Sequence, residues 1–232
     1  MMHHNFLDIM LKLSFMNLFR RKTRTFLAVL GIAIGVAAIL SLVSVVDGVY
    51  AQFNNTISEF QGIFVYQKGA ADQPFSRIDE SYADKIKSLP DVKAVIKEIW
   101  VIPEKIDNEA VGFQGLTMPS IYGLDLAEYY ASGNTGWTTQ IKDGSKLLPA
   151  DRGQVMIGSK LAKDYGQFAG SKMKINDKNF RVKGIFKGNS ELIESVIVMN
   201  LEDARELGGM PKDKVSSFTV GLTDPSKDKR VR

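Results

Sequence analysis

The 232-residue sequence has no cysteine and only two histidines, His3 and His4. Without cysteine there is no disulfide framework, thiolate zinc site, lipid-modified Cys or Cys nucleophile. The gap does not identify a compartment. With both histidines in the first four residues, everything after them lacks Ser-His-Asp and Cys-His catalysis and histidine-based metal sites. A phosphate-cradling GxxxxGK[ST] loop is missing too. The nearest strings are GSK at Gly144, Gly158 and Gly170, which lack the upstream glycine and the Lys-Ser/Thr order and read as turns or helix starts. Acid pairs remain for acid–base chemistry. Glu191 with Glu194 reads as a solvated loop, and Glu202 with Asp203 as acids near a helix start, where the dipole favours them. The chain is expected to be no enzyme, to hold no cofactor or metal, and to leave any ATPase to a separate chain.

A surplus of charge on the main domain is also absent. The net charge is +4, but residues 1–46 carry Lys12, Arg20, Arg21, Lys22 and Arg24 against Asp8 alone. Residues 47–232 carry 25 basic and 25 acidic side chains, which cancel. A nucleic-acid footprint needs a basic face on the folded domain, so no nucleic-acid partner is expected. The tail with Lys227, Lys229, Arg230 and Arg232 is local and reads as a frayed or truncated end.

What is present is one long apolar run. Thr25–Val46 has 22 residues without a charge, about 33 Å as a helix, enough for a hydrocarbon core of about 30 Å. A soluble helix of that length normally shows a polar stripe; here only Thr25, Ser41, Ser44, Gly31 and Gly35 interrupt the run. The run therefore reads as a transmembrane helix in a cell membrane, inner or plasma. Arg20, Arg21, Lys22 and Arg24 crowd one flank and Asp47 opens the other, so positive-inside topology puts the N-terminus in the cytoplasm and the rest outside. A cleaved signal peptide is the rival. Val49 and Ala51 offer a small-residue site before Gln52, but the apolar run is too long and its leader too extended. Gly31 and Gly35 form GxxxG, a spacing that lets helices pack closely. Residues 5–24 read as an interfacial amphipathic helix, with Asn5, Asp8 and Lys12 on its polar face and Phe6, Ile9, Met10, Leu13 and Met16 on its apolar one. A disordered leader whose charges only set topology is the alternative.

Beyond Asp47 the pattern is mixed α/β. Gly48–Phe60 reads as a helical stalk, and Ile63–Tyr66 as a strand. Asp79–Leu89 reads as a helix stopped by Pro90, and Val92–Ile96, Ile99–Ile102 and Gly112–Leu116 as strands. Met118–Asp151 is a looser stretch rich in Gly, Ser, Thr and Tyr. Val155–Ile157 is a strand and Ser159–Tyr165 a helix. A hairpin joins Lys172–Ile175 to Phe180–Phe186 around Asn176–Asn179. Val196–Met199 is a buried strand, Leu201–Leu207 a helix ending at Gly208–Gly209, and Ser217–Leu222 an alternating strand. Asn54-Asn55-Thr56 matches a glycosylation sequon. Trp137, in a Gly-rich stretch, reads as a partner contact or as filler of a small core; Trp100, among Ile99, Val101 and Ile102, reads as core.

Several stretches carry a likeness to known proteins. NLFRRKTRTFLAVLGIAIGVAAIL is similar to the start of macrolide-exporter and lipoprotein-releasing type ABC transporter permeases. YGLD at Tyr122–Asp125, QVMIGSKLAKDYG from Gln154, GSKMKINDKNFRVKGIF from Gly170 and ESVIVMNLEDARELGG from Glu194 resemble their extracytoplasmic core domain. The resemblance implies an α+β fold: one N-terminal transmembrane helix, then a two-lobed mixed α/β extracytoplasmic domain with an inserted β-rich lobe. The expected division is 1–24 cytoplasmic interfacial helix, 25–46 transmembrane helix, 47–62 extracytoplasmic stalk, 63–116 with 191–232 membrane-proximal α/β lobe, and 117–190 inserted lobe. Such permeases carry four membrane helices, one before the outer domain and three after it, so this chain is expected to be the N-terminal portion of one. The resemblance implies a permease subunit of an export or extraction system that passes ATP-driven motion to its outer domain. The partners it implies are a cytoplasmic ABC ATPase, a second permease subunit and membrane lipid. A membrane-anchored binding or adaptor protein is the alternative, and a surface-anchored hydrolase, lacking His and Cys, the weakest reading.

Overall fold

The computed structural model describes Met10, Met16 and residues 21–59, 62–113, 117–133 and 140–224. The chain divides into two compact units, Met1–Ala51 and Gln52–Arg232. Of the expected N-terminal interfacial helix only Met10 and Met16 are described, both helical and exposed; the rest of it, Arg20 included, lies outside the described residues.

Helix α1 runs Lys22–Glu59 without a break, about 57 Å at 1.5 Å per residue. It contains the expected span and continues through most of the expected stalk. Within it Lys22–Ala51 has mean hydropathy 2.8, and none of its most apolar stretch is buried by the rest of the chain. Phe26, Leu27, Ile32, Ile39 and Leu42 each leave 65–70 % of their surface open. An apolar surface this large and continuous requires a cover. An internal hydroxyl bond suits a hydrocarbon cover, since Ser44 Oγ donates to the Leu40 carbonyl at 2.9 Å and so needs no partner outside its own helix.

The second unit is built on an 11-stranded mixed sheet. Its strands are β1 Ile63–Tyr66, β3 Val92–Val101, β4 Lys105–Ile106, β5 Glu109–Ala110, β6 Ser120–Leu124, β7 Ile141–Gly144, β8 Gln154–Gly158, β9 Lys172–Ile175, β10 Lys178–Phe186, β11 Val196–Asn200 and β13 Ser217–Leu222. The spatial order is β1-β13-β3-β6-β11-β8-β10-β9-β4-β5, with β7 pairing to β10. A separate pair joins β2 Ile78–Asp79 to β12 Lys214–Val215. Short helices α2 Tyr82–Lys87, α3 Leu126–Ala131, α4 Ser159–Asp164 and α5 Leu201–Leu207 cover the faces.

The sheet is continuous across 116/117 and 190/191, the boundaries expected between lobes. Strand β6 lies between β3 and β11, while β4 joins the far half by pairing Ile106 with Ile175 of β9. That second join is held by Asn176, in the left-handed region at φ 51°, which asparagine tolerates. Its Oδ1 accepts from the Glu104 and Lys105 amides at 2.9 and 3.1 Å.

Side chains alternate across the sheet with period two. Ile197 and Met199 of β11 pack into one core with Val95, Ile99, Ile121 and Phe218. Val196 and Val198 pack into the opposite core with Ile96, Tyr122, Leu124 and Phe186. Three expectations need correction. Val92–Val101 is one ten-residue strand, not two. No strand begins at Gly112 or Phe113; the rest of that expected strand lies outside the described residues. The looser stretch 118–151 holds a central strand, β6, a helix, α3, and the edge strand β7. Strand β6 is central because it pairs with β3 on one side and β11 on the other; a Cβ at Gly123 would stand 2.2 Å from Cβ of Ala204, so only glycine lets α5 lie on the strand.

Candidate functional site

Two networks of buried polar side chains in the outer unit start from strand β3. Glu98 is fully buried. Its carboxylate accepts from the Tyr122 hydroxyl of β6 and from Thr219 and Ser217 of β13, the Ser217 bond measuring 2.7 Å. No cation pairs with it among the described residues. Burial pushes the Glu98 carboxyl up; the hydrogen bonds from Thr219, Tyr122 and Ser217 oppose that shift. Burial and then the charge of Glu98 raise the Tyr122 hydroxyl well above its usual range. Trp100 stacks on Tyr122 with ring centroids 4.3 Å apart and an interplanar angle of 29°, and is partly buried against that core.

The neighbouring residue on the opposite face of β3, Lys97, starts a second network. Its Nζ lies 2.7 Å from Glu80 and 3.6 Å from Asp125. Burial works against the Lys97 charge, and Glu80 and then Asp125 outweigh it, raising the ammonium above its ordinary value. Glu80 also takes Arg205 of α5 at 2.9 Å. Arg205, with 5 % of its side chain exposed, donates as well to Glu202 and to the carbonyls of Pro211 and Lys214. A third tie joins α5 to the turn before β8. Asp203 accepts from Arg152 Nε and from the Gly153 amide, both at 2.7 Å. Arg152 is half exposed, so the ion pair itself is worth little. Arg152→Gln is expected to cost about 1 kcal/mol and Asp203→Ala, which strands the part-buried Gly153 amide, about 2 kcal/mol. Thermal unfolding of the full chain in detergent reads both.

These ties connect β3, β6 and β13 with α5, β12 and the β8 turn. None of them brings groups together around an open reaction centre. Among the described residues no three His, Asp or Glu side chains converge as metal ligands. Glu202 and Asp203 sit in the first turn of α5, with Asp203 committed to Arg152. The GSK strings end β7 at Gly144, cap α4 at Gly158, and turn at Gly170 before β9.

The sequence-predicted residues fall outside these networks. Arg21, Lys22 and Arg24 lie exposed at the start of α1. Gly31 and Gly35 stand one turn apart in its apolar part, and beyond the helix's own backbone no atom of the described residues would lie within 4 Å of a Cβ at either. Trp137 lies outside the described residues, and Asn54 lies within α1. Reading the sequence missed Glu98, Tyr122, Lys97 and Arg205. One signal was available: Glu98 stands between Ile96 and Trp100 in the alternation of β3, on a face that is otherwise apolar.

An apolar helix left exposed among the described residues, followed by a mixed α/β domain tied together by buried polar networks, fits a membrane-anchored domain. Comparison with known proteins narrows this. The chain belongs to the MacB-like periplasmic core domain family, whose model matches residues 25–232. It is 23 % identical over 220 residues to the lipoprotein-releasing system transmembrane protein LolC of Buchnera aphidicola subsp. Acyrthosiphon pisum, covering 88 % of this chain and 52 % of that protein. It is 26 % identical over 206 residues to the ABC transporter permease YvrN of Bacillus subtilis, covering 78 % and 47 %. The chain thus spans about half the length of the curated relatives it matches. Its fold is that of the periplasmic region of MacB from Actinobacillus actinomycetemcomitans, with TM-score 0.50, 16 % identity, and 72 % and 78 % of the two chains covered. The extracellular domain of the ABC-type transporter YknZ from Gram-positive bacteria matches equally, with TM-score 0.50, 15 % identity, and 72 % and 86 % covered. The expected family and the mixed α/β class are those found.

Proposed function

We propose that this chain is the N-terminal part of a permease subunit in an ABC-type export or extraction system. The supporting observation is a MacB-like core domain in a chain whose helix α1 leaves its most apolar stretch uncovered, with basic residues at its start. In this reading the cluster from Arg20 to Arg24 holds the N-terminus in the cytoplasm, and the domain stands outside. ATP is hydrolysed by a separate cytoplasmic ATPase, and the chain itself catalyses nothing. Gly31 and Gly35 form the face on which α1 packs against another membrane helix of a second permease subunit. The buried ties from β3 to α5 and to the β8 turn favour a domain that moves as one body, as transmission of ATP-driven motion demands.

The test is purification of the tagged full-length gene product from native membranes. An ABC ATPase is expected to co-purify, with ATP hydrolysis that depends on the permease in lipid nanodiscs. Recovery of the membrane protein alone, with no ATPase in stoichiometric amount, would favour an anchored adaptor instead.

A further inference from the structure

Basic and acidic side chains cancel over residues 47–232, yet one groove on the outer unit is basic. It is lined by Lys68, Arg77, Lys85 and Lys214 against a single acid, Asp79. Lys214 is already paired, 3.1 Å from Asp79 and 3.6 Å from Asp213. The Asp79 carboxyl, taking hydrogen bonds from the Ser81 side chain and amide and then from Lys214, is lowered to about 2, so it stays ionised beside that lysine. No carboxylate pairs with Lys68, Arg77 or Lys85 among the described residues. Three cations therefore line the groove without a counter-charge there.

Two of these cations are held in place. Arg77 Nη1 donates to the carbonyls of Pro74 and Ser76 at 3.0 and 2.8 Å. That leaves the Nε–Nη2 edge of the guanidinium without a partner among the described residues, an edge that takes a carboxylate through two parallel bonds. The loop carrying Arg77 is closed by the Gln67 amide on Ser76 Oγ and by the Arg77 amide on Gln67 Oε1. Lys85 Nζ sits 4.8 Å from the centre of the Tyr82 ring. Tyr66 and Tyr82, each about half exposed, line the same groove. Cations and rings ordered beforehand lose little freedom on binding, and Tyr and Arg are favoured at protein interfaces. Size and lining narrow the occupant. The volume of about 640 Å³ is more than a single anion fills, since one water takes about 30 Å³. A chain of several residues fills it and can bring a carboxylate to each cation. Among the lining residues Ile78 alone is aliphatic, too little for an apolar ligand.

We propose that this groove docks an extended acidic segment of a partner protein. Its carboxylates pair with Lys68, Arg77 and Lys85, and its chain lies on Tyr66 and Tyr82. The inference stands apart from the permease reading and holds or fails without it. The test uses the purified full chain in a non-ionic detergent and a fluorescein-labelled peptide of alternating glutamate and serine, with fluorescence anisotropy as the readout.

The expected result is binding with a Kd below about 1 mM, absent when glutamine replaces glutamate in the peptide. It should weaken with salt, as the Debye length falls from about 8 Å at 0.15 M to about 3 Å at 1 M. Lys68→Glu combined with Lys85→Glu is expected to weaken it by about tenfold or more, since two attractions become repulsions. Lys142→Glu combined with Lys163→Glu changes the net charge equally at exposed lysines outside the groove. That pair is expected to leave the affinity within about twofold. Should the groove variant unfold, Lys68→Gln with Lys85→Gln serves, with a loss of about threefold or more. Equal losses in the two charge-matched variants, or no binding by the wild type, would overturn the proposal. Displacement of the peptide by inorganic phosphate at matched ionic strength would overturn it in favour of a small anion.

Discussion

Arg205→Ala is expected to destabilise the outer unit by about 3–5 kcal/mol, against a total stability of about 5–15 kcal/mol for a domain of this kind. The guanidinium is almost wholly enclosed and answers four acceptors: Glu80, Glu202 and the carbonyls of Pro211 and Lys214. Its removal takes a donor from each of the two carbonyls, Pro211 keeping the Lys214 amide, and withdraws one of the two cations on Glu80, which keeps Lys97. Because Arg205 ties α5 to the turn before α2 and to the β12 segment, the loss is expected to appear as loosening where α5 meets these two. Arg205→Lys keeps the charge but loses the fork that reaches several acceptors at once, so it is expected to recover less than half of the loss. Urea unfolding of the full chain in detergent, with hydrogen exchange at residues 78–81 and 211–215, checks both the magnitude and the location. Wild-type stability in Arg205→Ala would contradict the ionic frame.

Glu98 tests the other network, and two substitutions there are expected to part. Glu98→Leu removes the acceptor of three buried hydroxyls and is expected to cost about 3–5 kcal/mol. Glu98→Gln keeps an acceptor oxygen, and its amide can donate to the same hydroxyls, so its cost is expected to be below about 1.5 kcal/mol at neutral pH. The pH dependence follows from the direction of the Glu98 shift. Its folded-state carboxyl titrates above the usual 4.5, so the folded state binds the proton more tightly than the unfolded one. Its favourable contribution is therefore full below pH 4.5 and is lost as pH rises through the raised folded value. Wild type should lose stability over that window and Glu98→Gln should not, once the common background from other groups is subtracted. An identical pH profile for the two proteins would show that Glu98 does not titrate in the folded state as its burial requires.

The parts of the fold legible in the sequence are those fixed by local chemistry. The β9–β10 hairpin is marked by Asn176 at its turn, and β11 by an unbroken VIVM run. Helix α5 is marked by the Asn200 cap, whose Oδ1 accepts from the Glu202 amide at 3.0 Å, and by Gly208–Gly209 at its end. The parts that were not legible depend on partners distant in sequence. Lys97 and Glu98 look like a polar break between two strands until Glu80 and Asp125 are seen to take Lys97 and three hydroxyls to take Glu98. With those partners β3 runs through the break. Strand β6 was hidden because Tyr122 and Gly123 read as loop chemistry, whereas one packs under Trp100 and the other admits Ala204. The membrane helix was legible in full because a bilayer imposes its requirement residue by residue.

The account stands on a membrane-spanning α1 with the Gln52–Arg232 unit outside the cytoplasm. The most direct measurement is labelling of single cysteines, introduced in turn as Asn5→Cys and Ala71→Cys into the full chain, by a membrane-impermeant thiol reagent on intact spheroplasts. Ala71→Cys is expected to react before lysis and Asn5→Cys only after it. Reaction of Asn5→Cys in intact cells with Ala71→Cys protected, or recovery of both in the soluble fraction, would contradict the account.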